Sequence, residues 1–90
     1  MELNIPKYDG NTISLLWEHN FSIRCNVENS LVTISANTEG LISLARHLLT
    51  LAQKDVPVST HIHLDEYNSL ENGSTELVFV KDNEIVINDQ

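Results

Sequence analysis

Ninety residues carry a formal charge of -8, with 41% hydrophobic and 20% charged residues. That balance fits one folded domain around one core and argues against disorder. Five Lys and Arg are too few to neutralise a phosphate backbone, no apolar stretch approaches the roughly 20 residues that cross a bilayer, and a lone Cys25 gives no disulfide framework.

Nucleic acid and membrane are therefore not expected partners, and a reducing, cytoplasmic compartment is. Met1-Glu2-Leu3-Asn4 lacks the basic and apolar regions of a signal peptide, so export by that route is not expected either. A chain this short has room for one sheet and one or two helices, which leaves little for a deep, enclosed cleft.

Ile13, Leu15 and Trp17 share one side of a first extended run, which His19-Asn20 separates from the next. From Phe21 to Glu28 the alternation is clean: Phe21, Ile23, Cys25 and Val27 face one way, Ser22, Arg24, Asn26 and Glu28 the other. This pattern predicts a half-buried strand. Glu28-Asn29-Ser30 supplies a turn, and Val32, Ile34 and Ala36 alternate with Thr33 and Ser35 in a run rich in β-branched residues. The three runs together predict an antiparallel meander.

Asn37-Thr38-Glu39 offers a side-chain N-cap and a first-turn acid. Leu41, Leu44, Ala45, Leu48 and Ala52 follow at helical spacing, widened by Ile42, Leu49 and Leu51. Ser43, Arg46, His47, Thr50 and Gln53 or Lys54 trace a narrow polar stripe, so sheet or another surface is expected to cover most of the remaining circumference. Asp55-Val56-Pro57 is expected to end this helix. Strands are predicted over Val58 to Leu64, Glu76 to Lys81 and Glu84 to Asn88, the last two joined through Asp82-Asn83. Asp65 to Ser74 reads as a loop anchored by Leu70. The expected fold class is α+β in two layers, a mainly antiparallel sheet of five to six strands with one main helix on one face.

Among chemistry-bearing residues, His61, His63 and Asp65 alternate with Ile62 and Leu64, which places two imidazoles and a carboxylate on one strand face. These are metal-ligand types, but His61 and Asp65 stand roughly 13 Å apart along a straight strand, too far to share one ion without a bend. No cofactor is implied. Phe21, Ile23 and Val27 surround Cys25 with an apolar environment that predicts a core residue and not a nucleophile. No Gly-rich phosphate loop exists. Residues 65 to 90 hold seven acids against Lys81, a local charge of -6, while residues 1 to 64 carry -2. Tyr67 sits within that acidic stretch, an aromatic among acids of the kind that a hot spot for a basic partner uses. Trp17 is read as core.

The segments Ala36-Asn37-Thr38-Glu39-Gly40-Leu41, His47-Leu48-Leu49-Thr50-Leu51-Ala52, His61-Ile62-His63-Leu64-Asp65-Glu66-Tyr67, Leu70-Glu71 and Gly73-Ser74 before Glu76-Leu77 resemble the immunity protein 32 family of bacterial polymorphic toxin systems. The resemblance covers about half the chain. It implies a cytoplasmic antidote, encoded beside a toxin, that binds the toxin and protects the producing cell; it does not identify the toxin.

These readings converge on a binding protein and not an enzyme. The expected partner is a cognate basic toxin domain, docked and occluded through His61, His63, Asp65, Glu66, Tyr67 and Glu71. Reversing Asp65 and Glu66 to lysine is expected to slow association without unfolding the domain. Two rivals are a metal-dependent enzyme built on His61, His63 and a third ligand, and a self-associating module, such as a homodimer, that uses a strand edge or an uncovered helix face.

Overall fold

A computed structural model of the chain describes residues 2–83. Four strands and one helix follow in the order β1 (Ile23–Glu28), β2 (Leu31–Ala36), α1 (Thr38–Leu51), β3 (His61–Leu64) and β4 (Leu77–Val80). The class is α+β, but the expected sheet of five to six strands is not formed. Among the described residues the strands make two separate antiparallel pairs, β1 with β2 and β3 with β4. The strand expected over residues 84–88 lies outside the described residues; β4 pairs with β3.

The reason the first pair does not widen is visible at the far edge of β1. Glu71 and Thr75 donate their amides to the carbonyls of Ile23 and Cys25, and the Ser74 hydroxyl accepts from the Cys25 amide. An irregular segment thus occupies the edge where a third strand would add. The turn between β1 and β2 places Asn29 and Ser30 at φ 51° and 66°, the left-handed pair that a two-residue hairpin needs. Ile23 and Cys25 are buried, whereas Val27, expected on the core face, is exposed with Leu31, Val32 and Ile34.

The run through Ile13, Leu15 and Trp17 is not a strand. Its alternation survives in burial, since these three pack against the core while Ser14 and Leu16 face out. Its backbone, however, is bonded to side chains of α1 and of Gln53 just beyond it. Glu18 donates its amide to Ser43 Oγ, and Arg46 donates to the carbonyls of Asn4 and Leu16. Gln53 donates to Pro6 and accepts from the Tyr8 amide.

This arrangement inverts the face expected of α1. Ser43, Arg46, His47 and Thr50 are buried, while Leu41, Leu48 and Leu49 are exposed. Leu44 and Leu51 supply its apolar contact with a core made of Ile23, Cys25, Val56, Ile62, Leu64 and Leu70.

Asn37 caps the helix as predicted, its Oδ1 accepting from the Gly40 and Ser22 amides. At Gly40 a Cβ would collide with the Ser22 carbonyl oxygen, so only glycine lets α1 approach β1 this closely. The helix ends at Leu51, before the expected Asp55-Val56-Pro57. Lys81 Nζ takes the carbonyls of Gln53 and Val56, and Gln53 Nε2 takes that of Thr50.

Candidate functional site

Burial of Ile62 and Leu64 turns His61 and His63 outward, as strand alternation requires. The β3–β4 register opposes His63 to Val78 and Leu64 to Leu77. Asp65 follows the end of β3 and Glu76 precedes the start of β4. Across this corner His63 Nε2 lies 2.9 Å from Glu76 Oε2 and 3.9 Å from Asp65 Oδ2. The ligand-type atoms of the three side chains all lie within 4.8 Å of one another.

Asp65 is also the keystone of the loop that follows. Its Oδ1 accepts from the Tyr67 and Asn68 amides, and its carbonyl accepts from the amides of Asn68, Ser69 and Leu70. Asn68 returns the bonds, accepting from the Asp65 amide and donating to the His63 carbonyl. Glu66 Oε2 accepts from the Gly73 amide at 2.8 Å, and Gly73 sits at φ +85°, a conformation that resists a side chain. Buried Leu70 pins the loop to the core. The result is a braced platform from which Tyr67 projects, 90% exposed. Glu71 spends its amide on β1 and leaves its carboxylate in solvent.

The structure therefore gathers His63, Asp65, Glu66, Tyr67 and Glu71 on β3 and its following loop, and adds Glu76, which strand alternation alone did not single out. The signal for Glu76 is the hairpin register. His61 stands apart: its Nδ1 is 3.4 Å from the Ser59 carbonyl, and its ring lines a shallow, open depression with Ile13, Val58 and Thr60. Among the described residues, no carboxylate or thiol lines that depression. Cys25 is buried in the core as its neighbours predict. Leu31, Val32 and Ile34 of β2 and Leu41, Leu48 and Leu49 of α1 are among the exposed apolar residues.

Several cations are used internally. Arg46, 8% exposed, pairs with Glu18 at 2.8 Å; Lys81 holds the end of α1; Arg24 donates to the Asn72 carbonyl. Among the described residues, no lysine or arginine pairs with the carboxylates of residues 65–76. His47 is fully buried in a T-shaped contact with Trp17, 4.3 Å between ring centres, with neither ring nitrogen hydrogen-bonded. Burial, reinforced by the Arg46 charge, lowers its pKa to about 4.

No helix among the described residues is long and apolar enough to cross a membrane. The family model for immunity protein 32 matches residues 32–82, more than half of the chain, from β2 through β4 and including the whole loop platform. Among curated proteins and among solved structures nothing matches.

Proposed function

The chain belongs to the immunity protein 32 family, and on that premise we propose that it is the antidote to a cognate toxin, docking a basic toxin domain on the platform of residues 63–76 and covering its active site. The action is occupancy and involves no bond making. The observation that carries this reading is Tyr67, held 90% exposed on a loop braced by Asp65 and Glu66. A rigid aromatic with one polar tip gains no intramolecular contact there, yet is the residue type that anchors interfaces at low entropic cost. The same segment carries Glu66, Glu71 and Glu76, an acidic rim in sequence with no lysine or arginine partner among the described residues. Such a rim steers a basic partner and speeds its encounter.

The test is co-expression with the toxin encoded beside the gene, scored by growth and by binding of the purified pair. Wild type is expected to restore growth, and Tyr67→Ala to weaken the complex by roughly thirty-fold, the value of a ~2 kcal/mol hot spot. Equal affinity and equal protection by the two chains would remove the platform from the account.

A further inference from the structure

We propose that His63, Asp65 and Glu76 form a binding site for a divalent transition-metal ion of the zinc class. The proposal does not rest on the toxin reading. It starts from an electrostatic cost: Asp65 and Glu76 flank the paired ends of β3 and β4 with ligand-type oxygens within 4.8 Å of one another, and like charges this close repel. Neither has a lysine or arginine partner among the described residues. A cation between them removes that cost.

The contact between His63 and Glu76 is at hydrogen-bond distance, and the spacing of the three side chains also admits a metal ion. Ligands of a tetrahedral zinc lie about 2 Å from the ion and hence about 3.4 Å apart. The two separations from His63 Nε2, 2.9 and 3.9 Å, bracket that value. Two of the three ligands are already oriented. His63 is fixed on β3 by the burial of its neighbours, and Asp65 has Oδ1 engaged by two loop amides, which leaves Oδ2 toward His63. Glu76, exposed at the rim, is free to adjust. One imidazole nitrogen with two carboxylates suits zinc and its neighbours, whereas magnesium and calcium favour all-oxygen shells of higher coordination number. Three protein ligands also leave an open coordination position.

Calorimetric titration of the chelator-treated full chain with zinc chloride, in the absence of any partner, tests the site. Saturable uptake of one ion per chain is expected, weakened at least ten-fold by His63→Ala and by Glu76→Gln, unchanged by His61→Ala, and not reproduced by magnesium. Both weakening substitutions are at exposed positions, and far-UV circular dichroism confirms that each variant is folded. Absence of saturable binding at millimolar zinc, or binding that survives His63→Ala and Glu76→Gln, would overturn the proposal.

Discussion

The N-terminal segment, residues 2–20, and the β3–β4 hairpin both close over the same core, yet different chemistry holds them. The hairpin is carried by a backbone ladder with Ile62 and Leu64 beneath it. The N-terminal segment has an alternating apolar side too, but its backbone groups are taken by Ser43 and Arg46 of α1 and by Gln53 just beyond it. A ladder tolerates change at any outward side chain, whereas side-chain anchoring concentrates the connection in a few polar residues. The two regions should therefore respond to mutation in opposite ways.

Arg46→Ala should produce the largest effect. It removes two part-buried hydrogen bonds from a charged donor to backbone carbonyls, and the ion pair with Glu18, at a cost of about 3 kcal/mol in urea unfolding. Removing His63 from the hairpin, whose ion pair is exposed, should cost less than about 0.5 kcal/mol. Similar costs at the two sites would abolish the distinction.

The buried histidine of the same polar face sharpens the comparison through pH. His47 has its folded pKa depressed from 6.5 to about 4, so the unfolded chain takes up a proton that the folded chain refuses. Stability conferred by the neutral ring is complete above pH 6.5 and is lost as pH falls toward 4. His47→Phe, which keeps a ring against Trp17, should flatten this part of the urea-midpoint profile. An unchanged profile would assign acid sensitivity to other groups. Smaller again is Asn37→Ala, expected to cost about 1 kcal/mol through loss of the helix cap, measured by the same unfolding midpoint.

The sequence made some of this legible and hid the rest for a common reason. Alternation is a local signal, so β1, the turn at Asn29-Ser30, β3 and the outward histidines could be read directly, as could the Asn37 cap. Partners distant in sequence left no such trace. The leucine-rich circumference of α1 pointed to a buried apolar face, but Ser43 and Arg46 are buried against backbone groups of the N-terminal segment and His47 against an indole, while Thr50 turns its hydroxyl back to the Arg46 carbonyl of its own helix. The missing third strand beside β1 has the same origin, since Glu71, Ser74 and Thr75 take its place. At the site, residues 61–71 were visible as a pattern, whereas Glu76 joins only through hairpin register. The bonds from Asp65 and Glu66 to loop amides also show that these carboxylates brace the platform as well as charge it. Reversing them would disturb the loop, so they are poor probes of steering.

Glu71 is the cleaner probe, because its backbone holds β1 while its carboxylate faces solvent. The decisive measurement is the association rate of the Glu71→Lys chain with the cognate basic toxin domain across a range of salt concentrations. The account predicts several-fold slower association at low salt, a flatter salt dependence and a nearly unchanged dissociation rate. Association kinetics identical to those of the wild-type chain at every salt concentration would contradict it.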